Sequence, residues 1–199
     1  MIPFMKTKKA LLCALLMCWG LYSQAQTITS ARFRISDHAK GIRSIELLLN
    51  NTILVGINEE GRIDYTESIS GNISDYHANP DPERNYGQET TTIGNLSVRY
   101  YDNFDIHDPK GKLKSIGNIQ FKYNNTFDIH EQFGSLKSIG NIQISYYNTF
   151  DIHDPQGKVK SIGNVQIKYF NKSDITERFG RIKSIEGNTP AVAVITARK

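Results

Sequence analysis

The sequence predicts an all-β protein, a repeat array of β-hairpins joined into an elongated antiparallel meander sheet. Three observations lead there. Residues 92–183 are four copies of one 23-residue unit laid end to end without an insertion. An unbroken period of this length marks an architecture in which each unit covers its apolar face with its neighbours. Within a unit, Ile119, Phe121 and Tyr123 alternate with Gln120 and Lys122, a period of two and not 3.6. The alternating runs are punctuated by turn residues. Asp108-Pro109-Lys110-Gly111 has proline second and glycine fourth, as a type I turn prefers, and Gly117-Asn118 suits a two-residue type II′ hairpin. The alternative is a parallel β-solenoid with 23 residues per coil, in which identical residues stack as ladders. The hairpin-like Asp-Pro-x-Gly turns favour the meander, in its simplest form a long, single-layered twisted sheet.

Residues 1–25 read as a signal peptide. Lys6, Lys8 and Lys9 precede an apolar run from Ala10 to Leu21, and Ser23-Gln24-Ala25 places small residues where a signal peptidase cuts. That run is shorter than the roughly 20 residues of a membrane-spanning helix, so no transmembrane segment is expected after cleavage. The expectation is a bacterial protein, secreted or held in the periplasm or cell envelope. Both cysteines, the only tryptophan and three of the 24 basic residues fall in this segment, which leaves 21 basic against 20 acidic residues. A net charge of +1 gives no argument for nucleic acid or for an anionic membrane surface. Without cysteines the exported chain must draw its stability from burial and sheet hydrogen bonds.

Residues 26–43 form an N-terminal strand and cap, with Ala31, Phe33 and Ile35 on one side of the strand and Arg32, Arg34 and Ser36 on the other. The Ser/Thr-Ile step then recurs at 44, 68, 92, 115, 138, 161 and 184. Residues 44–91 therefore read as two degenerate repeats, with Gly61 at a turn and Pro80 and Pro82 looped out of any ladder. Residues 184–199 are a partial repeat that ends in a closing strand at 191–195. Atypical end units are expected, because one face of each lacks a neighbour. Two registers stay open for the unit. A hairpin sets Ile116 opposite Ile119 and Lys114 opposite Phe121, whereas one continuous strand runs Leu113 to Tyr123. Phe127 and Ile129 alternate with Asp128 and His130 and suggest a further strand. The turns read DPKG, EQFG, DPQG and ERFG in succession. This 46-residue pattern reflects duplication of a two-unit block, or else an odd number of strands per unit with turns on alternate edges.

His107-Asp108-Pro109-Lys110-Gly111-Lys112-Leu113 resembles the YD-type repeats of secreted bacterial RHS proteins, whose units run aromatic-Asp-x-x-Gly-Arg-Leu. Here His replaces the aromatic residue and Lys replaces Arg, while the Gly-x-apolar step persists at Gly134, Gly157 and Gly180. The likeness covers seven residues per unit. It implies a β-hairpin repeat on an exported protein and carries no catalytic residues.

Two rows of residues could bear chemistry. Asp105/His107, Asp128/His130 and Asp151/His153 repeat an Asp-x-His step. On a strand each pair shares a face, and stacked pairs could hold a divalent metal. The plainer reading is a solvated face with Asp–His hydrogen bonds. The second row is Tyr100, Tyr101, Tyr123, Tyr146, Tyr147 and Tyr169. Where two tyrosines adjoin, one ring is expected to face in and the other out, and the outward rings could meet a sugar or a protein. The chain holds no nucleophile elbow, phosphate-binding loop, HExxH or CxxC motif. The expected function is thus structural or interactive and non-enzymatic, with no cofactor. Its expected partner is a protein or cell-surface molecule, with a glycan-binding module or a metal-binding array as alternatives. Oligomeric state is not readable from the sequence.

Overall fold

Alternation of apolar and polar residues makes strands that bury one face each, and two such faces closed on one another form the protein. In the computed structural model, residues 26–69, 91–175 and 177–197 are described. The segment expected to be a signal peptide, residues 1–25, and the proline-bearing stretch at 80–82 lie outside them.

The larger sheet is the meander. It comprises β5 (Thr91–Ile93), β6 (Leu96–Tyr100), β7 (Leu113–Ile116), β8 (Ile119–Tyr123), β9 (Leu136–Ile139), β10 (Ile142–Tyr146), β11 (Val159–Ile162), β12 (Val165–Tyr169) and β13 (Ile182–Glu186), hydrogen-bonded in chain order. All its pairings are antiparallel, so the solenoid alternative does not hold. Ile116 pairs with Ile119 and Ser115 with Gln120, which selects the hairpin register over the continuous strand. Gly117 has φ of +56°, the sign that the first central residue of a type II′ turn requires.

Each unit contributes two strands, one tight turn and one long loop. Every long loop therefore lies at the same end of the sheet, and the odd-strand reading of the 46-residue pattern fails. The pattern instead pairs the units. The Tyr101 hydroxyl donates to the Phe121 carbonyl at 2.9 Å and the Tyr147 hydroxyl to that of Ile167 at 3.1 Å. Where Tyr101 and Tyr147 recur in the other units stand Asn124 and Phe170.

The meander is not a single layer. A second sheet runs β14-β1-β2-β3-β4, where β1 is Ile28–Ile35, β2 Ser44–Leu49, β3 Ile53–Asn58, β4 Ile63–Ser68 and β14 Val192–Thr196. The strands of residues 44–67 thus belong to this sheet. The closing strand β14 lies parallel to β1, with Phe33 opposite Val194. Phe33, Leu47, Leu49 and Val55 from this sheet and Leu113, Ile116, Phe121, Ile139 and Ile162 from the meander are buried in one continuous core. A fully buried Leu, Ile or Phe contributes about 1.5–3 kcal/mol. The two sheets meet at both ends. The tight turns approach the start of β1, where the Asn118 amide donates to Gln26 Oε1 at 3.1 Å. The long loops approach the 36–43 loop, where the Ile182 amide donates to Asp37 Oδ1 at 2.7 Å.

Candidate functional site: the long-loop edge

The four long loops are built by their polar residues, and those residues point inward. In the second, the Asn125 amide donates to Asp128 Oδ2 at 3.0 Å, and Asn125 Oδ1 accepts from the Phe127 amide at 3.0 Å. The same two bonds recur from Asp102, Asn148 and Asn171. Such bonds from side chain to nearby backbone outcompete a strand. Residues 125–131 therefore form consecutive turns, and the strand expected at Phe127–Ile129 is absent.

The aspartates of the Asp-x-His row organise these loops. Asp105, Asp128, Asp151 and Asp174 each accept a lysine ammonium on Oδ1, at 2.6–2.8 Å, from Lys114, Lys137, Lys160 and Lys183. For Asp128 the lysine bond is the main reason its carboxyl lies below the usual value. For Asp105 burial acts first and upward, and the lysine and backbone bonds outweigh it. The histidines point elsewhere. His107 Nδ1 is 3.0 Å from the Thr126 hydroxyl, and its ring is 4.4 Å from that of Phe127. His130 sits against Thr149 and Phe150 in the same way. Asp and His of one step thus face different partners, and among the described residues no three acidic, histidine or cysteine side chains gather as a metal would need. His153 is exposed, and its carbonyl accepts the Lys172 amide at 3.0 Å.

Further bonds tie one loop to the next. Nδ2 of Asn125, Asn148 and Asn171 donates to Asp108, Glu131 and Asp154 of the preceding unit at 2.9–3.3 Å.

The tyrosine row does not form a surface. Tyr101, Tyr123, Tyr146, Tyr147 and Tyr169 are buried, and Tyr100 is partly buried against the core. The expectation of one outward ring in each doubled position is therefore corrected, and its cause is local. The register slips by one residue at Tyr100, Tyr123, Tyr146 and Tyr169, a recurrent bulge that redirects the strand end. The Tyr147 amide and carbonyl then close the loop onto Lys158 and Gly157. Its ring lies edge-on to Tyr169 at 5.9 Å, with the Lys160 ammonium 5.2 Å away.

The loops present a row of apolar side chains instead. Phe104, Phe127 and Phe150 are 70–83% exposed, Ile106, Ile129 and Ile152 are 62–80% exposed, and Ile175 extends the row. Adjacent strands lie about 4.8 Å apart, so a two-strand unit repeats this pair at roughly 10 Å. The signal in the sequence is the recurrence of Phe-Asp-Ile in three units beside Asn and Asp, residues that build turns. In comparisons with known proteins, the chain matches no family model, no curated protein and no solved structure.

Proposed function

We propose that this chain is a non-enzymatic β-repeat interaction protein, exported to the cell surface or envelope, whose long-loop edge binds a protein or cell-surface partner. One observation carries the reading. The polar residues of each loop are spent on holding it together, and its large apolar residues face water in a regular row. That inverts the usual arrangement, and contiguous exposed apolar surface marks an interaction site. The order of the loops favours binding, because little conformational entropy remains to be lost on docking. The YD-like step at 107–113 agrees with a hairpin repeat on an exported protein. A glycan face built from the tyrosines is not supported, since those rings lie in the core.

The test is a variant with Phe104, Phe127 and Phe150 all changed to Ser. Immobilised protein is exposed to surface extracts of the producing cells, and retained molecules are quantified for both forms. The expected result is a partner retained by the unaltered chain and lost by the variant, which keeps its β-sheet circular dichroism and melts only modestly lower because Phe127 and Phe150 each give up one ring contact with a histidine. Equal retention by both forms would overturn the proposal.

A further inference from the structure

Behind the apolar row, between the two sheets, lies a second feature that owes nothing to it. A cleft of about 360 Å³ opens at the long-loop end, bounded by the 36–43 loop, the 58–62 turn and the 109–112 and 132–136 loops. Its apolar lining includes Ile42, Ile45, Ile57 and Phe121. Its volume falls in the range of small-molecule sites. Lys40 and Lys112 line it, as does Glu59. Glu59 is already paired with Arg43. Among the described residues, no hydrogen bond or ion pair reaches the Lys112 ammonium; it lies 5.2 Å from the centre of the Tyr123 ring. Burial, first, and the nearby Arg62 charge hold the Lys112 ammonium below the usual lysine value, against the smaller favourable effect of Glu60.

The repeat supplies an internal comparison. Lys158 occupies the same place two units later, 5.2 Å from the Tyr169 ring. There the ammonium donates to three carbonyl oxygens of the 36–43 loop, those of Ser36, Asp37 and Ala39. The fold thus shows what this lysine holds when the chain itself supplies the partner: a cluster of oxygens. At Lys112 the corresponding space is the cleft.

We propose that the cleft binds a small amphiphilic carboxylic acid, with the carboxylate on the Lys112 ammonium and the apolar tail along Ile42 and Phe133, the lining residues that keep exposed apolar surface. A charge-assisted hydrogen bond in a partly dry site gives the head group its grip, and Ile42 and Phe133 take the tail out of water.

Phenylbutyrate serves as the probe, titrated into the protein and followed by heteronuclear NMR. The expected result is saturable shifts at the amides of Gly61, Leu113 and Ser135. Lys112→Met keeps an apolar stem against Tyr123 and removes the charge, and it should weaken binding about tenfold. Phenylbutanol, which lacks the charge, should bind the unaltered protein about tenfold more weakly than the acid. Absence of saturable shifts, or equal affinity for acid and alcohol, overturns the proposal. That second comparison uses the unaltered chain and so decides the matter even where Lys112→Met fails to fold. The serine variant of the apolar row should keep full affinity for the acid, so failure of either reading leaves the other standing.

Discussion

The imidazole of His107 lies 4.4 Å, centroid to centroid, from the ring of Phe127 in the following unit, with its Nδ1 3.0 Å from the neighbouring Thr126 hydroxyl. The contact is repeated by His130 with Phe150, at 4.7 Å. These histidines therefore join units. A ring pair of this kind is worth about 0.5–1.5 kcal/mol beyond the area it buries. His107→Ala and Phe127→Ala should each lower stability by about 0.5–1 kcal/mol in urea unfolding, and the double variant should cost less than the two combined. Strict additivity would show that the contact does not hold the loops together.

The aspartate–lysine pairs predict a specific response to acid. Asp105, Asp128, Asp151 and Asp174 all have carboxyls held below their ordinary 3.8. A group depressed in the folded state adds stability that is fully present above 3.8 and disappears as the pH falls through the lower folded value. The melting temperature should hold steady down to about pH 4.5 and then drop. The lysines are about half exposed, and water screens the pairs. Asp128→Asn should therefore cost only about 0.5 kcal/mol at neutral pH and nothing in strong acid. A cost that persists in acid would assign Asp128 a role other than its charge.

Much of the fold is legible in Ile119-Gln120-Phe121-Lys122-Tyr123, whose alternation reappears as burial at residues 119, 121 and 123 and exposure at 120 and 122. Gly117 likewise announces its turn. What stays hidden is non-local. Nothing in Val192–Thr196 says that it will pair with β1, because that register joins the two ends of the chain. The repeat phase of Ser44 does not show that its strand enters a different sheet from that of Ser115. At the candidate site, the alternation of Phe127 and Ile129 with Asp128 and His130 is not sufficient for a strand. Asn125 and Asp128 bond to nearby backbone amides and take that segment out of the strand conformation. The inward placement of Tyr147 is not legible because a one-residue bulge, invisible in composition, turns both neighbouring rings inward.

Burial of the tyrosines gives the opposite response in alkali. The Tyr101 phenol is pushed up to about 12, by burial first and then by the charges of Asp108 and Asp105. Burial raises Tyr123, Tyr146, Tyr147 and Tyr169 as well. For groups raised in the folded state, stability is intact below the ordinary 10.0 and is lost as the pH climbs from there toward 12. Phenolate absorbance and loss of β-sheet circular dichroism should therefore rise together in one cooperative step. Smooth ionisation near pH 10 with the sheet signal intact would contradict the buried placement of these rings.

Lys158 and Lys112 should differ in consequence although they occupy equivalent places. Lys158 is buried, and its ammonium holds the carbonyls of Ser36, Asp37 and Ala39, which fastens the β1–β2 connection to the meander. Lys158→Met removes the shared donor and leaves those oxygens to find water at the joint between the sheets. A loss of about 1–3 kcal/mol is expected, with faster amide exchange at Ala39, whose amide is bonded to the Ser36 hydroxyl oxygen at 3.0 Å. Lys112→Met removes no such bond and should change stability by less than about 0.5 kcal/mol. Equal losses for the two variants would mean that the Lys112 ammonium has a partner within the folded chain, and the cleft would then lack a free cation for a carboxylate.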